Sequence, residues 1–352
     1  MKLIQTVDAE GTVLCHDITQ IIKGVTKDAV FRKGHVVTKE DIPVLLSVGK
    51  DQLYVWEKEE GMLHENEGAR LLCELCESEH MVRSQVKEGK IELSAAMDGL
   101  FKVNNDGMRA VNGFGQMMVA SRHGNFPVKK GDKLAGTRII PLVIEEEKME
   151  AARKKAMEAT GGEPIFKLLP FSHKKVGIVT TGNEVFYGRI KDTFTPVIQE
   201  KLAEFDTEII AHDTWNDDDR KVTASIEEMA GKGADIVICT GGMSVDPDDK
   251  TPLAIKNTGA KILSYGAPVL PGAMFLLAYL EVKGEEGSRT VTVMGLPGCV
   301  MYARRTIFDL ILPRVMADDR ISARELAGLG QGGLCLNCSS CTFPNCGFGK
   351  GY

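Results

Sequence analysis

The residues most able to do chemistry fall into two sets. The first is a cysteine run near the end of the chain. Cys335, Cys338, Cys341 and Cys346 are spaced C-x2-C-x2-C-x4-C. Four thiolates at such spacing can wrap a tetrahedral zinc ion or an iron–sulfur cluster, and the spacing leaves both open. A second C-x2-C, Cys73 with Cys76, sits in ARLLCELCES. That stretch has a helical apolar pattern, so these two thiols are expected in a core. Cys15, Cys239 and Cys299 stand alone.

The second set is a pair of polar, glycine-bearing loops. Thr180-Thr181-Gly182-Asn183-Glu184 and Thr240-Gly241-Gly242-Met243-Ser244 each follow a strand-like apolar run. They offer hydroxyls and backbone N–H groups that an anion can approach, because glycine carries no side chain. A following helix N-terminus adds a favourable dipole. The expected ligand is a phosphate or another polyanion. A third turn, Gly295-Leu296-Pro297-Gly298, ends a similar run. Acidic residues crowd the same loops. Carboxylates beside a phosphate repel it unless a cation intervenes, and Mg2+ takes one or two carboxylates plus phosphate oxygens. Glu184 with Asp246, Asp248 or Asp249 is the expected Mg2+ set. Asp217, Asp218 and Asp219 read mainly as a solvated helix start.

These loops need elements to hold them. From residue 171 to 328, strand-like runs alternate with helical ones: KKVGIVTTG, TPVIQEKLAEF, DTEIIAHDTW, KVTASIEEMAGKG, ADIVICTGG, TPLAIKNTG and RTVTVMGLPG. This predicts an α/β domain with a doubly wound, mostly parallel sheet, whose ligands bind beyond the C-terminal strand ends. The first half reads differently. Residues 1–60 suggest a small β-rich domain punctuated by Gly11, Gly24, Gly34 and Gly49, with Thr38 capping a short helix. Residues 61–145 suggest a mixed α/β region: a helix over 61–84, then short strands with turns at Asn104-Asn105-Asp106-Gly107 and Lys129-Lys130-Gly131-Asp132. Residues 146–170 read as a helical linker opened by acids and closed by Gly161-Gly162. Residues 329–352 form the Cys-rich tail.

Composition narrows the classes. The chain has 352 residues, 43% hydrophobic and 26% charged, with a net charge of −6. That is globular rather than disordered or fibrous. A mildly acidic balance argues against nucleic acid as partner. Pro268 and Pro271-Gly272 interrupt the most apolar stretch, 267–280, which argues against a membrane span. MKLIQTVDAEG lacks a leader's pattern, so a cytoplasmic location is expected. The histidines at 16, 35, 64, 80, 123, 173 and 212 show no ligand spacing, and Trp56 and Trp215 read as packing residues.

Several ordered motifs then carry a resemblance. TTGNE, GRIKD, TGGMSVDPDDKTP, a Pro-Gly turn at 271–272 and GLPG are similar to the molybdopterin-binding domain of molybdenum cofactor biosynthesis. That domain occurs in MogA-type adenylyltransferases and in MoeA- and gephyrin-type molybdenumtransferases. The resemblance spans about 174–315. It extends to AMDG at 96–99 and to GHVVTKEDIPVLLSVG. It implies that Gly241, Gly242 and Ser244 hold a terminal phosphate, with Thr180, Thr181, Gly182, Thr240 and Met243 around it. It implies that Gly295, Pro297 and Gly298 line the pterin side. Asp98, Glu184 and Asp249 would be catalytic, Asp98 acting in a partner subunit's site of a homodimer. Glu184, Asp246 and Asp249 would meet Mg2+. Three departures stand out. Asn183 replaces an aspartate. The family's K-P-G-K turn reads Leu270-Pro271-Gly272-Ala273, without its lysines. The cysteine tail stands where the molybdenumtransferases carry a β-barrel domain.

The expected function is therefore molybdopterin binding in cofactor biosynthesis, with insertion of molybdate or tungstate into adenylated molybdopterin. One alternative is a non-catalytic carrier or sensor serving a molybdoenzyme. Another is a nucleotide or pyrophosphate hydrolase on the same fold.

Overall fold

A computed structural model describes residues 2–22, 26–55, 60–244, 246–284 and 287–351. Gly24 and Trp56, singled out above, lie outside the described residues, as does Val245 of the loop motif. The chain forms two compact units. The first comprises Met1–Ala96, Val103–Arg122 and Lys130–Lys167; the second comprises Met97–Lys102, His123–Lys129 and Leu168–Tyr352.

In the first unit, strands Lys2–Gln5 and Gln52–Val55 pair antiparallel over a small core that includes Leu14, Ile18, Leu45 and Leu53. The short helix is Asp41–Ser47, and Thr38 does not cap it as expected. The bond runs the other way: Thr38 donates its N–H and hydroxyl to Asp41 Oδ2, at 2.8 and 2.9 Å. The helix expected over 61–84 is confined to Glu65–Cys76, and Met62–His64 and Met81–Arg83 are strands. Cys73 and Cys76 are buried on that helix. Asn104-Asn105-Asp106-Gly107 is a helix start rather than a turn. Asn104 Oδ1 accepts the Gly107 N–H at 2.9 Å and opens Asn105–Asn112. Glu146–Thr160 packs inside this unit, burying Met149, Ala152 and Ala156, where the sequence suggested a linker.

The second unit is built on one six-stranded sheet. Its strands are β1 (Lys174–Thr181), β2 (Thr207–Trp215), β3 (Ile236–Thr240), β4 (Lys261–Tyr265), β5 (Leu276–Gly284) and β6 (Gly287–Leu296). The spatial order is β2-β1-β3-β6-β5-β4. The first four are mutually parallel, and β5 and β4 run antiparallel at one edge. The unit also holds helices α1 (Phe194–Leu202), α2 (Asp219–Gly231), α3 (Thr251–Asn257), α4 (Ile307–Met316) and α5 (Ala323–Gly328), besides one helical turn at Asn183–Phe186.

Alternate residues of the central strands feed two cores. Val176, Ile178, Ile236 and Ile238 pack with Ile198 of α1 and Phe308 of α4. Val179, Val237 and Cys239 face the other way, onto Val222 and Met229 of α2 and Ile255 of α3. A strand buried on both faces reads as a continuous apolar run, which is why β1 and β3 were legible. From β1 the chain goes to β2 on one side and later to β3 on the other. The switch point therefore lies at the C-terminal ends of β1 and β3, where α/β sheets bind ligands. Among the described residues no helix is long and apolar enough to cross a membrane.

Candidate functional site

A cavity of about 650 Å3 opens over the C-terminal ends of β3 and β6. Its walls are the loop Gly241–Ser244 with Asp249, the turn 270–274, residues 296–299, Tyr302, and Leu334 with Cys335 from the tail.

The loop after β3 is shaped by glycine. Gly241 has φ +82°, and a Cβ there would lie 2.0 Å from the Thr181 carbonyl oxygen. Gly242 has φ +53°, and its Cβ would lie 2.9 Å from Thr251 Oγ1. The loop's carbonyls are all tied down from behind. Thr251 Oγ1 donates to Gly241 O at 2.9 Å, and the Thr251 N–H donates to Gly242 O at 3.2 Å. The Tyr265 hydroxyl reaches Met243 O at 3.0 Å and Ser244 O at 3.3 Å. In a trans peptide the N–H points opposite to its C=O. The N–H groups of Gly242, Met243 and Ser244 are thus turned away from these anchors, as an anion nest requires.

The other two turns behave differently. Thr180 is buried and shares its hydroxyl with Thr195 Oγ1 (3.2 Å) and His212 Nε2 (3.0 Å). Thr181 Oγ1 donates to Thr240 O at 3.2 Å and meets Thr251 Oγ1 at 3.1 Å. Thr180, Thr181, Gly182 and Thr240 are thus the floor beneath the loop rather than lining. Gly295 makes room for a neighbour: a Cβ there would lie 2.6 Å from the Met243 thioether. Pro297 and Gly298 do line the cavity.

The acids are divided. Asp249 lines the cavity, and its Oδ2 accepts the Asp246 N–H at 3.2 Å. Glu184 is exposed and folds back over Gly182. Asp217 accepts the Asn183 N–H at 3.2 Å. Its carboxyl is pushed up by burial and then by the charges of Glu184, Asp248 and Asp249. Asp218 caps α2 by accepting the Arg220 and Lys221 N–H groups. Among the described residues no three His, Cys, Asp or Glu side chains are gathered so as to hold a metal ion, so Glu184, Asp246 and Asp249 do not form the expected set. Asp98 is exposed, pairs with Lys129 at 2.9 Å, and is not in the lining.

Sequence reasoning missed Thr251, Tyr265 and Tyr302. Tyr265 is a strand residue 21 positions from Ser244, and no local signal links them. Tyr302 is 79% exposed in the wall of the cavity.

Residues 177–317 match the family model described as "Probable molybdopterin binding domain". Residues 177–317 are thus a divergent domain of that family. Residues 3–57 match a domain of unknown function, DUF8806. A CinA-like protein of Mycolicibacterium vanbaalenii is 34% identical over 77 residues, which is 22% of this chain and 18% of the relative. The chain thus matches less than a fifth of the length of the curated relatives. The tungsten cofactor synthesizing protein MoaB of Pyrococcus furiosus is similar at 22% identity over 42% of this chain and 89% of its own, with a TM-score of 0.31. A molybdenum cofactor biosynthesis protein of the same organism covers 90% of this chain and 62% of its own, at 13% identity and a TM-score of 0.26. Among the described residues of the molybdopterin-binding domain, no lysine or arginine lines the cavity.

Proposed function

We propose that this chain binds molybdopterin, or its adenylate, in the assembly of a molybdenum or tungsten cofactor. The observation that carries the reading is the loop Gly241–Ser244. Its carbonyls are pinned inward and its N–H groups turned outward, a fixed set of donors for a terminal phosphate. The remaining wall is largely apolar, with Leu296, Pro297 and Met274, and suits a flat pterin. Asp249, the acid in the lining, would take Mg2+ together with diphosphate oxygens of the ligand. That ion would offset the repulsion between the carboxylate and the phosphate. Asp98, exposed beside Lys129, would serve a partner subunit in a homodimer.

Insertion of molybdate with release of AMP is the finer form of this reading, with Glu184 and Asp249 as its acids. The lysine-free lining favours a second form, a carrier that holds the cofactor without metal insertion. A metal oxyanion entering beside a phosphate meets no protein cation there.

An anaerobic titration with molybdopterin tests the binding. Ser244 is exposed, so Ser244→Asp places a negative charge at the nest without disturbing the core. We expect it to weaken binding at least about tenfold, a factor worth about 1.4 kcal/mol. Equal affinity in both proteins would overturn the reading. Adenylated molybdopterin, Mg2+ and molybdate or tungstate then separate the two forms. AMP release that needs the oxyanion and is lost in Glu184→Ala supports insertion. Retained ligand without AMP release supports the carrier. AMP or phosphate release without oxyanion supports a hydrolase.

A further inference from the structure

We propose that the cysteine tail holds a [4Fe–4S] cluster, in a chamber of its own beside the molybdopterin-binding cavity. The four cysteines border one space. Cys335, Cys338, Cys341 and Cys346 line a chamber of about 380 Å3, and Arg304 and Arg305 contribute to its wall. All four are free thiols.

Of the two metals that the spacing allows, a cluster suits this chamber better than a single ion. Zinc needs four sulfurs within about 2.3 Å of a single point. Among the described residues no three such side chains converge in that way. A cubane cluster has the opposite demand. Each thiolate binds its own iron at a separate corner, so the sulfurs must stand apart around a larger body.

The surroundings suit an anionic cluster. Phe343 and Phe348 form part of the chamber wall, their rings tilted with centroids 6.1 Å apart. Cys335 and Cys346 are half-buried against the same core, while Cys338 and Cys341 reach solvent. Apolar shell and partial burial are what tune such clusters. Four thiolates on the iron core leave a net negative charge. Arg305 stacks on Phe343 at 4.9 Å and pairs with Asp309 at 2.8 Å, and Arg304 Nη1 donates to Ser339 O at 3.1 Å, so both guanidinium groups are held at the chamber. The backbone closes the segment on itself: the Gly349 N–H donates to Gly332 O at 2.9 Å.

The full chain, purified without oxygen and reconstituted with ferrous iron and sulfide under reducing conditions, tests this. We expect iron and acid-labile sulfide in equal amounts, in [4Fe–4S] stoichiometry, with a broad visible absorption that bleaches on reduction. Cys338→Ser and Cys341→Ser alter exposed residues outside the core, and each should lower retained iron at least about tenfold with the thermal melt of the metal-free chain unchanged. One zinc per chain bound in preference to iron, with no sulfide retained, would overturn the proposal. So would a chain that takes up neither metal, or serine variants that keep their full iron and sulfide.

Discussion

The loop after β3 and the cysteine tail are both candidate binding elements, and they are built in opposite ways. In the loop, the carbonyls of residues 241–244 are held from below by Thr251 and Tyr265, and glycine removes every side chain that would crowd the turn. Such a site meets its ligand ready-made and spends little on ordering. The tail is tied at its ends, by Cys335 N–H to Leu270 O at 2.8 Å and by Gly349 to Gly332, while its middle thiols stand exposed. Such a segment would gain much of its order from the cluster proposed for it. Rigidity in one case comes from the fold; in the other it would come from the load.

The contrast can be broken most forcefully at Gly241. Gly241→Ala drives a Cβ into the Thr181 carbonyl at a left-handed φ, and should cost at least about 3 kcal/mol. Gly298 lines the same cavity with nothing within 4 Å of its Cβ position, and Gly298→Ala should cost less than about 1 kcal/mol. Thermal melts of the two variants check the difference; equal melts would mean the loop is not preformed.

Next in size is the pair of C-x2-C spacings. Cys76→Ser puts a hydroxyl into a fully buried helix face and should cost about 1–3 kcal/mol, whereas Cys338→Ser in the metal-free chain should stay within about 0.5 kcal/mol. Reactivity follows the same line. Burial pushes the Cys73 thiol up to about 12, so at pH 8 its thiolate is rarer by roughly a thousandfold than that of an ordinary thiol. Alkylation followed by mass mapping should mark Cys338 and Cys341 quickly and leave Cys73 and Cys76 unmarked in the native chain. In a chain reconstituted with the proposed cluster, stripping the metal with a chelator should then speed hydrogen exchange across residues 336–342 and leave residues 241–244 as they were.

The smallest effect is at Asp217. Its carboxyl is raised in the folded chain, so the stability it contributes is present at low pH and lost as the pH rises through the folded value. Asp217→Asn should therefore raise the melting temperature at pH 7, by no more than about 2 °C because solvent screens this half-buried group. The gain should vanish below pH about 4, where the unfolded aspartate is itself protonated.

These comparisons also say what a sequence can disclose. Strands β1 and β3 announce themselves because both faces are buried, which forces unbroken apolar runs. Gly241 and Gly242 announce a turn because no other residue fits there. The same residue types mislead where partners are distant in the chain. Thr180 and Thr181 look like ligand hydroxyls, yet His212, Thr195 and Thr251 occupy them. Gly295 looks like a ligand contact but accommodates Met243. Asn104-Asn105-Asp106-Gly107 has turn composition, but the Asn104 side chain starts a helix instead. In each case a tertiary contact decides, and spacing along the chain does not encode it.

Residues 270 and 334 form a parallel bridge, and Leu334 lines both chambers, which also share Pro271, Tyr302 and Cys335. Two occupants, as proposed, would meet at this common partition. With both sites filled as proposed, any factor by which a pterin in one compartment raised the hold on iron in the other would be returned to the pterin in full.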